Sequence, residues 1–187
     1  MNFYCMRHGR TNYNDLGLCN DDPSRDVHLT EIGIAQAQSA ALALRDVAIE
    51  RIIVSPLPRT RQTAEIVNRY HAAPIVMHAD LADIRSGFEG KPVSDYFAAI
   101  CHNPLRARVN GGESLLDHKL RVLHFIDWLK VQQDKNLLIV AHEETMRVFV
   151  AYFEGGVEDS QLRDIHVGNC EYRHYNLDSP CKKSSFD

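Results

Sequence analysis

Short apolar runs alternate along the chain with longer stretches in which apolar residues return every three or four positions. Residues 3–6 form a short apolar run and predict a first strand. After Thr30, the residues Ile34, Ala37, Ala41 and Leu44 recur at helical spacing. Thr30 is the natural N-cap of that helix, and Glu31 lies in its favourable first turn. Arg51–Val54 carries Ile52, Ile53 and Val54, a buried-strand signature that Ser55-Pro56-Leu57-Pro58 breaks. A helix follows to about residue 70, with proline tolerated in its first turn. Residues 75–77 read as a third strand and 95–101 as a short helix. Gly111-Gly112-Glu113-Ser114 is a turn with a cap. It opens a long helix in which Leu115, Val122, Ile126 and Leu129 share one face. Residues 137–141 are the most strand-like run, 144–153 are helical, and Gly155-Gly156 ends that helix. Residues 170–177 make a last, edge strand. Strands alternating with helices of this length predict an α/β fold, a three-layer α/β/α sandwich around a mostly parallel sheet.

A chain of 187 residues fits one domain of the usual ~100–200 residues. The expectation is a single domain over residues 1–177, followed by a solvated tail over 178–187. The net charge of -4 provides no electrostatic footprint for nucleic acid or for an anionic membrane surface. Any phosphate pocket must therefore be built from locally gathered cations. The five cysteines are widely spaced and form no C-x-x-C pair, as in reduced cytoplasmic proteins. No apolar run approaches the ~20 residues of a membrane span, and Arg7 and His8 interrupt the N-terminal apolar run before it resembles a signal peptide.

In a sheet of this class ligands gather at the carboxyl ends of the strands. Just past those ends stand Arg7, His8 and Gly9, then Ser55 and Arg59, then Asp83, and finally His142. Two arginines, two histidines and one carboxylate are what phosphoryl transfer through histidine requires. Arginine offers a fork of donors matched to phosphate oxygens. The start of the helix at Arg59 adds free amides. A neutral imidazole is a competent nucleophile, and a carboxyl group can protonate a leaving alkoxide and then activate water.

Arg7-His8-Gly9-Arg10-Thr11 with Asn14 resembles the R-H-G-x-T-x-x-N signature of the histidine phosphatase superfamily, the phosphoglycerate mutase-like enzymes. Further pieces follow in the family's order: Leu29-Thr30 with Gly33 and Gln36-Ala37, Ser55 to Thr60 with Thr63-Ala64, Leu81 to Gly90, and Val140-Ala141-His142. The resemblance covers roughly residues 3 to 177. It implies that His8 attacks phosphorus, that Arg7, Arg59 and His142 hold the phosphoryl oxygens with help from Asn14, and that Asp83 serves as acid and then base. The implied enzyme is a metal-independent phosphomonoesterase that needs no cofactor and takes a small phosphate ester. A mutase or a phospho-ligand binding module is the alternative. Residue 83 is aspartate where glutamate is commoner, Glu89 is a rival acid, and Glu143 follows His142 where glycine is usual. Glu143 would repel phosphate unless it points away.

The other signals carry less. His142-Glu143-Glu144-Thr145-Met146 opens like a zinc-protease motif but places Met where the second histidine belongs. Cys19 and Arg25 share the spacing of cysteine phosphatases, yet two carboxylates and a proline lie between them. The remaining histidines, His118 among them, read as surface or partly buried, and Glu113 as an ordinary first-turn residue. Tyr96, Phe97, Arg106 and Arg108 are candidate substrate contacts.

Overall fold

In the computed structural model, which describes residues 1–177, eleven elements follow one another: β1 (Asn2–Arg7), α1 (Asn12–Leu16), α2 (Glu31–Leu44), β2 (Arg51–Val54), α3 (Pro58–Val67), β3 (Ile75–Met77), α4 (Val93–Ile100), α5 (Leu115–Leu129), β4 (Asn136–Ala141), α6 (Glu143–Glu154) and β5 (Tyr172–Asn176). Three 3₁₀ turns, Asn68–Tyr70, Ala79–Leu81 and Asp159–Asp164, complete the path. The tail expected over 178–187 lies outside the described residues. The strand order is β3-β2-β4-β1-β5, parallel except for the antiparallel edge strand β5.

Alternation along the strands builds the three layers. Phe3, Cys5, Ile53, Leu137 and Ile139 point to one face and pack with Val122, Phe125, Phe149 and other residues of α5 and α6. Met6, Ile52, Val54, Leu138 and Val140 point to the other and pack against α2 and α3. A strand segment buried on both faces has to be apolar at every position, which is why residues 137–141 of β4 read as one unbroken hydrophobic run. A third, smaller cluster of Cys19, Tyr96 and Ile100 gathers α4 and the loop after α1 over the carboxyl edge.

The caps agree with the sequence. Thr30 Oγ1 accepts from the Gly33 N–H, and Ser114 and Asp117 form a reciprocal capping box at the start of α5. Helix α2 differs in one respect: Ile34 is exposed, and the buried face runs through Gly33, Ala37, Ala40, Ala41 and Leu44. Gly33 is buried because the chain leaving β1 crosses it. A Cβ on Gly33 would stand 2.1 Å from the Arg10 carbonyl oxygen, and one on Gly9 would stand 2.7 Å from the Gly33 carbonyl oxygen. These two glycines allow α2 to press on the loop that carries His8.

Gly33→Ala should therefore lower stability by about 1–3 kcal/mol through overpacking against backbone. Urea unfolding with a change under about 0.5 kcal/mol, the range of an ordinary surface substitution, would refute this close approach.

Candidate active site

The register of three parallel strands brings the histidines together. Arg7 stands opposite Ala141, and the His8 N–H donates to the Ala141 carbonyl at 3.0 Å. His142 leaves β4 one residue later and caps α6. The two imidazoles meet edge to face, with centroids 5.3 Å apart. Both are buried.

The hydrogen bonds of His8 define its protonation. Its Nδ1 lies 2.7 Å from the Gly9 carbonyl oxygen, which can only accept, so the ring proton is on Nδ1. Nε2 then carries the lone pair, and Arg59 Nε donates to it at 3.1 Å. Burial, followed by the positive field of Arg59 and His142, pushes the His8 pKa well below the usual histidine value. The imidazole is thus neutral with its nucleophilic nitrogen facing a guanidinium.

Arg59 is only 4% exposed. Its Nη2 donates to Asp83 Oδ2 at 2.9 Å and to the Asn20 carbonyl at 3.2 Å. Burial pulls the Arg59 pKa down, and Asp83 opposes that shift. Asp83 Oδ2 also lies 3.4 Å from His142 Nδ1, and Asp83 Oδ1 accepts from the Ile84 N–H at 2.9 Å. On the other side His142 Nε2 lies 2.7 Å from Ser55 Oγ. Burial, then Arg59 and His118, lowers the His142 pKa well below its usual value. Arg7 donates through Nη1 to the Val167 carbonyl at 2.6 Å and pairs with Glu143 at 3.0 Å. Arg7 Nε and His142 Nδ1 are buried without a hydrogen-bond partner. Asn14 lines the same cavity, while its Oδ1 accepts from the Thr11 N–H. Thr63 Oγ1 accepts from the Gly9 N–H at 3.0 Å and steadies the turn that holds the His8 ring.

All six candidate site residues, Arg7, His8, Asn14, Arg59, Asp83 and His142, thus gather at the carboxyl edge of the sheet. Glu89 does not join them. Its carboxylate accepts from Asn20 Nδ2 and from the Asp21 and Asp22 amides, and so it ties down the loop after α1. Asp83 pairs with Arg59, whereas Arg85 reaches Glu113. Cys19 is buried, and burial pushes its thiol up, which is unsuitable for a nucleophile. Tyr96 and Phe97 line the cavity, whereas Arg106 and Arg108 lie on a separate hollow with Asp117 and Asp159. Glu143 is turned onto Arg7 and Arg147. Among the described residues no three His, Cys, Asp or Glu side chains gather as a metal-ligating group, and no helix is long and apolar enough to cross a membrane.

The structure adds a supporting network that the sequence reading missed. Arg121 donates to the Asp80, Ala82 and Asp83 carbonyls at 2.9, 2.8 and 3.3 Å and also binds Glu113. His118 is fully buried and lies 3.4 Å from the same carboxylate, so it is not a surface histidine. Burial pushes the Glu113 carboxyl up, but hydrogen bonds from His118 and Arg121 outweigh it and hold the pKa at about 2. Glu113 is therefore the buried counter-ion of the loop that carries Asp83. Glu113 precedes the N-cap Ser114 of α5, outside the first turn expected for it, and stands five residues before His118, so no helical spacing marked the set.

Residues 3–183 match the model of the histidine phosphatase superfamily, branch 1. The adenosylcobalamin/alpha-ribazole phosphatase of Salmonella typhimurium is 31% identical over 81% of this chain and 78% of its own length. The uncharacterized phosphatase PhoE of Bacillus subtilis is 27% identical over 93% of both chains. Among solved structures, the alpha-ribazole phosphatase from Shigella flexneri superposes with a TM-score of 0.85 at 26% identity, over 95% of this chain and 91% of that one. With the family model matched over nearly its whole length and the fold shared with a solved phosphatase, the chain belongs to the histidine phosphatase superfamily.

Proposed function

We propose that residues 1–177 form a single phosphomonoesterase domain in which His8 Nε2 takes up the phosphoryl group. The observation that carries this reading is the locked tautomer of His8, with Nδ1–H on the Gly9 carbonyl and a buried, neutral Nε2 at 3.1 Å from Arg59 Nε. A phosphate ester displaces Arg59 from Nε2 and takes the guanidinium as its own partner. Nε2 attacks phosphorus in line, the P–O bond to the alcohol breaks, and the ring becomes a cation whose Nδ1–H remains on Gly9. Arg7, Arg59 and His142 hold the three phosphoryl oxygens, and Asn14 adds a donor at the rim.

Asp83 serves as the proton donor to the departing alkoxide. The incoming phosphoryl group competes with Asp83 for Arg59, which frees the carboxyl from its ion pair. After the alcohol leaves, the Asp83 carboxylate takes a proton from water. The water oxygen then attacks phosphorus, the P–N bond breaks, and inorganic phosphate and neutral His8 remain. No step requires a metal or other cofactor. Hydrolysis is favoured over transfer to a second alcohol because only α4 and short turns separate Gly90 from Gly111, which leaves little chain to enclose the intermediate.

Rapid-quench mass spectrometry in excess EDTA should find one phosphoryl group on the wild type, labile to acid and stable to alkali. His8→Ala should lack it and lose turnover by about 10³-fold or more. An adduct that persists in the variant would move the nucleophile elsewhere, and activity lost to EDTA would end the metal-independent reading.

Asp83→Asn should lower kcat/KM, which reports the steps up to release of the alcohol, by about 10²–10⁴-fold on alkyl phosphates, the usual contribution of a general acid. The loss should be smaller on 4-nitrophenyl phosphate, whose leaving group needs no proton. Equal losses on both esters would remove Asp83 from the acid role.

The lowered pKa of His8 keeps the nucleophile unprotonated on the acidic side of neutral. The kcat/KM profile should therefore hold up on the acidic side of neutral. An acid limb centred at or above ~6.5, the ordinary histidine value, would show that His8 is not held neutral as described.

A further inference from the structure

Asp83 Oδ2 lies between Arg59 Nη2 at 2.9 Å and His142 Nδ1 at 3.4 Å. Both partners belong to the phosphoryl cradle. In the proposed reaction a phosphate ester draws Arg59 to itself, and the ion pair that fixes the carboxyl is lost. Asp83 Oδ1 keeps the Ile84 N–H at 2.9 Å, but that is a bond to the next residue and travels with the chain. A carboxyl that must stay within reach of the leaving oxygen then has to be held through its backbone.

Two residues outside the cavity grip that backbone, one on each side of the Asp83 side chain. Arg121, on α5, donates through Nη1 to the Asp80 and Ala82 carbonyls at 2.9 and 2.8 Å and through Nη2 to the Asp83 carbonyl at 3.3 Å. Glu113 takes the chain beyond it. Its Oε1 accepts from the Arg85 N–H at 3.2 Å, and its own N–H donates to the Arg85 carbonyl at 2.8 Å. The ion pair between Arg121 and Glu113 closes the bracket, and the Glu113 side chain is 4% exposed. A planar guanidinium can serve several carbonyls and a carboxylate together, which the point charge of a lysine does less well. The approach also requires a glycine: a Cβ on Gly112 would stand 2.4 Å from the Arg85 carbonyl oxygen. The turn before α5 therefore lies directly against the strand-end loop that carries Asp83.

We propose that Arg121 and Glu113 are positioning residues for proton transfer, holding Asp83 at the leaving oxygen while the phosphoryl group takes Arg59 from it. This inference rests on the reading of Asp83 as the acid.

The test measures kcat/KM of the full chain on benzyl phosphate, whose alkoxide needs a proton, and on 4-nitrophenyl phosphate, whose leaving group does not. Arg121→Met should lower the benzyl phosphate value by about 10–10²-fold, the scale of a displaced catalytic group. The 4-nitrophenyl phosphate value should fall by less than about threefold, since no proton is needed there. In an Asp83→Asn background the same substitution should cost less than about threefold on benzyl phosphate, because the two residues act as one unit. Arg121→Lys, which keeps a cation opposite Glu113 without the fork, supplies the same comparison where Arg121→Met does not fold. General damage to the protein would lower both esters together and would add to the loss from Asp83→Asn. Equal losses on the two esters, or full additivity, overturn the inference. If Asp83→Asn alone discriminates between the esters and the Arg121 variants do not, the bracket falls and the acid stands. If Asp83→Asn does not discriminate either, both readings fall together.

Discussion

The site depends on the parallel pairing of β1 with β4. One ladder, with Arg7 opposite Ala141, releases His8 and His142 side by side at the carboxyl edge. A second, with Val54 opposite Val140, sets Ser55 beside His142. Slipping either ladder by one residue would exchange the two faces of the sheet and drive its fully buried apolar residues into the wrong layer. The core therefore enforces the register, and the site inherits its precision. The imidazoles need no mobile loop to bring them together, because hydrophobic burial on both faces has already done so.

That rigidity supports an arrangement that is poor for stability in isolation. Arg59 is buried, with Asp83 as its ion-pair partner and Asn20 as a polar neighbour. Two neutral histidines stand against it, and each is held neutral by burial and by that same positive field. Burying charge and leaving donors such as Arg7 Nε unmatched costs free energy that the apolar layers offset. The return is electrostatic. In the proposed reaction, donors already aimed at the place where phosphoryl charge spreads would need no reorganisation. The Glu113–Arg121 pair extends this logic one layer down: by gripping three carbonyls of the 80–83 turn, it fixes where Asp83 can reach.

Much of this was legible in the sequence, and the boundary has physical causes. Strands buried on both faces announce themselves as apolar runs, so β1, β2 and β4 and the residues just beyond them could be placed. Ile34 was misread because periodicity counts apolar side chains and cannot see a glycine. The buried position is Gly33, where packing needs the absence of a side chain. His118 and Arg121 escaped because buried and solvated helix faces have the same spacing, and Glu113 because it stands before the cap of α5. Arg108, a candidate substrate contact in the sequence, instead has its guanidinium on Asp117 at 2.6 Å. Charge type can be read from sequence, but partnership is a property of three dimensions.

Glu143 is where partnership matters most. A carboxylate beside the second histidine ought to oppose phosphate, yet it sits in the first turn of α6, where the helix dipole favours it. It divides itself between Arg7 and Arg147, and Arg147 and Arg163 in turn share Glu144. The effect is a chain of alternating charges that starts at the phosphoryl cradle and ends on the aromatic wall. Arg7 is thereby partly neutralised before any substrate arrives. Two uncompensated guanidiniums would bind the product dianion as firmly as the transition state, and uniform binding of that kind does not raise the rate of turnover. With Glu143 on Arg7 and Asp83 on Arg59, each guanidinium must exchange one anionic partner for another. In the proposed reaction the cradle would then grip phosphate without adding the full attraction of two free cations.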